Sequence, residues 1–518
     1  MTSKRVAVIG SGIVGSTLAY LLTGHGHQVT VFEKGTTYPY PHSEQWQEQH
    51  LYFHSNPAYE VPDDLKHYTS DGIPFDLEAE RYMRVGGSAS AWEGICIRMS
   101  PTDFKTRSHF GYGDDWPITY DDLEAYYGQA ESLIGVSGTD DDNPFAPPRS
   151  SSYPMEHFPL AYDDQIMQAR LREAGITLHT TPQARTRTAY EDRAGCMNFG
   201  TCRYCPIGAR YSPNYHLAKA VNTGNCTVIT DATVRRVVPD QDGRGGSIIY
   251  RTNDQSNDQE HHADVIVVAA GAVESARLLL LSKHERHPDG LGNAGGWVGR
   301  GLAFHHVWKG RLHYDIPLHP FRFGGWTGQS LQFIDAPTRG EHAAVKVEFS
   351  SRKAYDAPLN WSTAQNPYDA LVGMLHWRQI ILQAEAPASP EKYVTLSPET
   401  DRFGDPFAHI HYRFTDFDVA TYAFAREVFD RFVAATGPTR SEFPPLDWWD
   451  SGSHHMGTCR MGRSVRGSVV NSFGQIHDLP HIFVIGGSNF VGSSGAMNPT
   501  LTMVALAIRS ADFILDML

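Results

Sequence analysis

The stretch RVAVIGSGIVGSTLAYLLTGHGHQVTVFEKG, residues 5–35, decides how this chain begins to fold. Arg5 to Ile9 forms the apolar run that a buried parallel strand needs, and a glycine turn follows at once. Gly10, Gly12 and Gly15 make GxGxxG, a helical pattern comes next, and QVTVFE supplies a second strand ending in Glu33. The segment is a βαβ unit. Gly10 permits the tight turn, Gly12 lets the backbone approach a pyrophosphate at the helix N-terminus, and Gly15 allows helix and strand to pack closely. Glu33 is placed to accept hydrogen bonds from an adenosine ribose, and an acid there argues against a 2′-phosphate. The reading is dinucleotide binding on an α/β, Rossmann-type domain.

Further along the chain, RVGGSASAWEG (84–94) supplies a second glycine turn at Gly86 and Gly87. ADVIVVAAGAVESARLLLLS (263–282) supplies a strand that runs into Gly271 and a helix. The chain closes with HIFVIGGSNFVGSSGAMNPTLTMVALAIRSADFIL (481–515). The dinucleotide domain is therefore expected to be discontinuous, covering 1–305 with inserted loops and returning at 451–518. Residues 306–450 alternate apolar and polar positions in runs such as AAVKVEFS and AHIHYRF, which predicts an α+β substrate domain with an antiparallel sheet. Phe321, Phe323, Trp326, Trp361 and Trp377 fall in this range, and an aromatic in such a sheet reads first as core.

Composition narrows the function. With 518 residues the chain can bury a large core, and 44 Lys and Arg against 58 Asp and Glu leave a formal charge of −14, which disfavours a nucleic-acid partner. Glycines interrupt the N-terminal apolar run, so no export signal is read there. The apolar stretch at 265–273 is too short to span a bilayer and the C-terminal one too charged, so no membrane insertion is expected and the cytoplasm is the expected compartment. Six cysteines are too few for a disulfide scaffold.

These pieces, together with DDWPITYDDLEAYYGQAESLIGVSG (114–138), SPETDRFGDP (397–406), HHMGTCRMG (454–462) and GAMNPTLT (495–502), resemble the glucose-methanol-choline (GMC) family of FAD-dependent oxidoreductases in the family's own order. Within it, VIGGSNF and WPITYDDLEAYY look most like the pyranose 2-oxidase and bacterial sugar dehydrogenase branch. The resemblance implies FAD, held by the glycines already named with Gly487, Pro499 and Thr500. It also implies oxidation of a sugar, glycoside or amino-sugar hydroxyl to a carbonyl by hydride transfer to flavin N5. The HxxGT spacing matches His454 to the family's catalytic histidine, with His455 one position off, and the family's second position falls on Asn498. The chemistry agrees, since a neutral imidazole accepts a proton near pH 7 and an amide donates to the substrate oxygen without competing for it. Asn498 before Pro499 also reads as a helix N-cap. Some members carry a flavin-linked histidine where SASAW places Ala91, so FAD is expected to be non-covalent.

Three of the six cysteines lie within ten residues, in GCMNFGTCRYCPIGARYSP (195–213). Cys196, Cys202 and Cys205 have the spacing Cys-x5-Cys-x2-Cys, and CPIGA resembles the segment in which bacterial FAD-dependent sugar dehydrogenases hold a three-iron cluster. The second spacing departs by one residue from that pattern, and only Cys226 lies nearby as a fourth ligand. An iron–sulfur cluster, a compact thiol loop and a zinc site therefore remain three readings of this segment. Dioxygen or another acceptor takes the electrons. The alternatives to an oxidoreductase are a lyase that keeps FAD as structure and a non-catalytic flavin-binding subunit.

Overall fold

A computed structural model describes residues 3–50, 68–74, 77–78, 80–200, 202–241, 243–319, 325–350, 373 and 375–518. Its centre is a six-stranded sheet in the order Gln475–Ile476, Leu479–Val484, Val265–Val268, Arg5–Ile9, Gln28–Phe32, Cys226–Ile229. The pairings are parallel except at the short Gln475–Ile476 edge. Val6 to Ile9 and Val265 to Val268 are buried along their whole length, as continuous apolar runs must be when both faces of a parallel sheet are covered. Helix Ile13–Gly24 packs against Pro213–Asn222 and Thr500–Met517, so the first and last segments of the chain meet in one layer. The discontinuity read from sequence follows from this arrangement. Strand Cys226–Ile229 adds beside Gln28–Phe32 only after a long excursion of the chain.

The short strand Gly246–Thr252 pairs antiparallel with Ala232–Pro239 before it and with Gln259–Ala263 after it, making a three-stranded sheet.

A second six-stranded sheet is antiparallel throughout, in the order Arg440–Glu442, Phe304–His313, Trp377–Ala386, Val345–Ser350, Gly328–Ser330, His179–Thr180. Its membership is wider than 306–450. The first long strand begins at Phe304, and His179–Thr180 joins from far upstream. Helix Asp416–Thr436 covers one face, packing Phe424, Val428, Phe429 and Phe432 against Trp308, Leu312, Phe349, Ile380 and Leu382. Thr415 caps that helix reciprocally with Asp418: its hydroxyl accepts from the Asp418 N–H, and the Asp418 carboxylate accepts from the Thr415 N–H. The strand in AHIHYRF belongs to a separate three-stranded sheet, where Pro406–Tyr412 lies between Lys392–Thr400 and Tyr68–Gly72. Of the aromatics named above, Trp326 is buried and Trp377 half-buried, while Phe321, Phe323 and Trp361 lie outside the described residues.

Candidate active site

One cavity of about 660 Å³ runs from the N-terminal glycine loop to the antiparallel sheet. Its glycine end is shaped by the absence of side chains. Gly10 has φ +102°, and a Cβ there would lie 2.6 Å from the Ala269 carbonyl oxygen. A Cβ on Gly15 would lie 1.9 Å from the Gly10 oxygen, whereas one on Gly12 would meet nothing within 4 Å. Gly12 is thus the open position, Gly10 and Gly15 the close-packed ones, which is the division of labour a pyrophosphate cradle requires.

Gly86 and Gly87 press the second glycine turn onto the first, with a Cβ on Gly87 only 3.1 Å from the Gly12 Cα. Ser11 ties the pieces together: its N–H and hydroxyl donate to Glu33 Oε2 at 3.0 and 2.6 Å, and its oxygen accepts from the Gly86 N–H at 3.1 Å. The Gly35 N–H completes the Glu33 carboxyl at 2.9 Å. Burial pushes that carboxyl above its usual range while these donors pull it back. Gly10, Gly12, Glu33 and Gly87 line the cavity, as do Gly271, Gly487, Pro499 and Thr500 from the other segments. Gly15 and Gly86 support it from behind. Ala91 also lines it. The open Gly12, the buried acid and the helix beginning at Ile13 fit an adenine dinucleotide such as FAD.

At the other end, His454 and Asn498 line the same cavity. His305, which the sequence reading passed over, sits behind them. Its Nε2 is 2.9 Å from the Gly495 carbonyl oxygen, and its Nδ1 is 2.8 Å from Nδ1 of His454. A carbonyl only accepts, so His305 carries its proton on Nε2. Burial, reinforced by the Lys346 charge, pulls His305 down to about 3, so the ring is neutral and its Nδ1 offers a lone pair. His454 therefore donates from Nδ1. Burial, His305 and Lys346 hold His454 well below the usual histidine range as well, which leaves its Nε2 unprotonated, with a lone pair to offer. That nitrogen is 3.4 Å from the Asn498 amide nitrogen.

The amide is oriented from its far side. Buried Lys346 donates through Nζ to Asn498 Oδ1 and, at 2.5 Å, to Glu348 Oε1. An ammonium donates and never accepts, so the Asn498 carbonyl faces Lys346 and its NH2 faces His454. The expected N-cap shifts by one residue: Pro499 stands at the cap, no side chain caps the helix, and Asn498 spends its oxygen on Lys346. His455 lines the same cavity, but its Nε2 is engaged 3.2 Å from both Glu80 and Ser451.

The roof of the cavity is the uncovered face of the antiparallel sheet. Lys309, Glu348, Gln379 and Gln383 line it, while their neighbours Trp308, Val347, Ile380 and Leu382 pack under the helix. Gln383 also donates to the Ala496 carbonyl at 2.8 Å, holding the loop that carries Asn498. Strand alternation could have grouped these residues, but not told what their face meets.

In the cysteine loop, Cys202 and Cys205 are buried and Cys196 is half-buried. Arg185 donates to Cys196 Sγ at 3.0 and 2.7 Å, and burial pushes the Cys202 thiol up to about 12. Among the described residues the three sulfurs are not gathered within reach of one ion. Cys226 begins the edge strand Cys226–Ile229. Buried Arg210 donates to the carbonyls of Cys202, Arg203, Ala89 and Ser90, which docks the loop on the second glycine turn.

Among known proteins, the GMC oxidoreductase family matches residues 78–307 and 387–507, and the FAD dependent oxidoreductase family matches residues 5–132. The fructose dehydrogenase large subunit of Gluconobacter japonicus is 29% identical over 99% of this chain and 98% of its own length. Paromamine 6'-oxidase of Streptomyces fradiae is 27% identical over 98% of this chain and 90% of its own length. The crystal structure of pyridoxine 4-oxidase from Mesorbium loti superposes with a TM-score of 0.67 at 17% identity, covering 99% of both chains.

Proposed function

The chain belongs to the GMC oxidoreductase family, and we propose that it oxidises a hydroxyl group of a sugar, glycoside or amino sugar to a carbonyl, with His454 as the base and Asn498 orienting the substrate oxygen. One observation carries the reading: a neutral imidazole with an unprotonated Nε2 and an amide NH2 of fixed orientation share one cavity with a dinucleotide cradle. FAD, held by Gly10, Gly12, Gly87, Gly271 and Glu33, supplies the hydride acceptor when bound. The chain's own part is the proton. His454 Nε2 takes it from the substrate hydroxyl as the C–H bond breaks, and the Asn498 amide donates to the oxygen as charge develops there. Lys309, Gln379 and Gln383 offer polar groups to the remaining hydroxyls of a carbohydrate. The relatives named for a sugar and an aminoglycoside support the substrate class. Ala91 offers no side chain for a flavin bond, so FAD is held without a covalent link, and acid precipitation releases all the yellow colour.

An anaerobic screen of sugars, glycosides and aminoglycosides against the FAD-loaded protein tests the reading. At least one should bleach the oxidised flavin spectrum. Turnover without bleaching would make the protein a lyase with structural FAD, and inertness toward every alcohol a non-catalytic subunit. Among the described residues no helix is long and apolar enough to cross a membrane. For the Cys196, Cys202 and Cys205 loop, the Arg185 contacts to Cys196 and the burial of Cys202 and Cys205 favour a compact thiol loop, with dioxygen or another acceptor taking the electrons. Iron in stoichiometric amount after anaerobic purification would favour the cluster as the electron exit.

A further inference from the structure

Strand Tyr68–Gly72 lies parallel to Pro406–Tyr412 with Thr69 opposite His409 and Asp71 opposite His411. On the other side, Thr395 pairs with His409 and Tyr393 with His411. Residues two apart on a strand share a face, so both histidines, Asp71 and both threonines stand together on one side of this sheet. None of them lines the flavin cavity.

The ligand atoms converge. Asp71 Oδ1 is 3.1 Å from His411 Nδ1, Asp71 Oδ2 is 3.9 Å from His409 Nε2, and one atom from each of the three residues lies within 4.8 Å of the others. A tetrahedral ion with bonds of about 2.0–2.1 Å sets its ligands roughly 3.3 Å apart, so small side-chain adjustments close the site.

Each imidazole is also braced on its far nitrogen. His409 Nδ1 is 2.6 Å from the Thr69 hydroxyl, and His411 Nε2 is 3.0 Å from the Thr395 hydroxyl. The Thr69 hydroxyl gives its own proton to Ser397 at 2.9 Å, so toward His409 it can only accept. His409 must then carry its proton on Nδ1, and its Nε2 lone pair faces the Asp71 carboxylate. Two acceptors face each other across 3.9 Å, an arrangement that calls for a cation between them. His411 stacks on Tyr393, with ring centroids 4.2 Å apart, which fixes the second ring.

We propose that Asp71, His409 and His411 bind one borderline divalent cation of the Zn2+ class. Two imidazoles and one carboxylate select Zn2+, Ni2+ or Cu2+ over Mg2+ and Ca2+, which prefer all-oxygen shells. Threonine hydroxyls on the far nitrogens are the outer partners that orient metal-binding histidines. Asp71 and His409 are 338 residues apart in sequence, so the ion clamps strand Tyr68–Gly72 to the C-terminal half of the chain. Binding is thereby linked to docking of that strand and stabilises the folded state by mass action.

Calorimetric titration of ZnCl2 into the chelator-treated, FAD-loaded full chain tests this. The wild type should bind one Zn2+ more than His409→Ala and than Asp71→Asn, with a rise in melting temperature that both variants lack. MgCl2 and CaCl2 should not compete at equal concentration. Thr69→Val, which keeps all three ligands, should weaken binding by about 10- to 100-fold. The flavin spectrum of each variant confirms that it has folded. Equal zinc stoichiometry and affinity in wild type, His409→Ala and Asp71→Asn would overturn the proposal.

Discussion

The two ends of the cavity are built on opposite principles. The dinucleotide cradle is made of backbone: Gly10, Gly12 and Gly15 lie within six residues, and their spacing is dictated by where a Cβ collides and where it does not. The base site is made of side chains from four distant places, His305, Lys346, His454 and Asn498, and what holds it is the direction of each hydrogen bond. Volume breaks the first; a misplaced proton breaks the second. The cradle therefore constrains residue type locally, whereas the base site constrains partners that no local pattern connects.

The largest effect is expected at the base. His454→Ala should slow anaerobic flavin reduction by about 10²- to 10⁴-fold while leaving the bound FAD spectrum unchanged, because the cradle does not depend on it. His455→Ala should change the rate far less, since its ring is spent on Glu80 and Ser451. If the two effects were reversed, the base would be His455.

A smaller, opposite signature is expected from the cradle. Gly15→Ala places a methyl 1.9 Å from the Gly10 carbonyl oxygen, so helix Ile13–Gly24 must move away from strand Arg5–Ile9. Overpacking of this kind costs about 1–3 kcal/mol. The loss should appear as weaker FAD retention on gel filtration and a lower urea midpoint, with the rate per bound flavin close to wild type. Unchanged FAD retention would mean that Gly15 is not required for close packing here.

How much of this was legible in the sequence follows the same division. GxGxxG between two strands, closed by an acid, locates the cradle because its requirements are local. His454 and Asn498 are legible only through family resemblance, on motifs close to the chain's end. His305 and Lys346 are not legible at all. His305 is one of 26 histidines, with no spacing that ties it to His454. Lys346 and Glu348 sit in AAVKVEFS, where alternation separates two faces of a strand without saying what each face meets. Val345, Val347 and Phe349 do pack into the core, but the polar face turns to the cavity and not to water. The same ambiguity hid His409 and His411 in AHIHYRF, whose polar positions gather an acid from a strand far upstream. The antiparallel sheet also takes in the two-residue strand His179–Thr180, which carries no periodicity to read.

The subtlest expected effect is on pH dependence, and it tests the join between backbone-made and proton-made regions. Lys346 acts on His454 in two ways: its charge lowers the imidazole's proton affinity, and its hydrogen bond turns the Asn498 NH2 toward Nε2. Both keep Nε2 unprotonated. In the wild type, His454 held well below its ordinary value means that the base form persists as pH falls, so kcat/KM should stay level through pH 6 and decline only at more acid values. In Lys346→Met the charge is gone and the amide is free to present its oxygen, which favours a protonated Nε2. Both changes raise the proton affinity of His454. The acid limb of kcat/KM should therefore move to higher pH, with a loss at the optimum smaller than that of His454→Ala. Lys346 as mere packing would lower the rate equally at every pH and leave the limb in place. An unmoved limb in a folded, FAD-loaded Lys346→Met protein would remove Lys346 from the proton chain and leave His305 alone to orient the base.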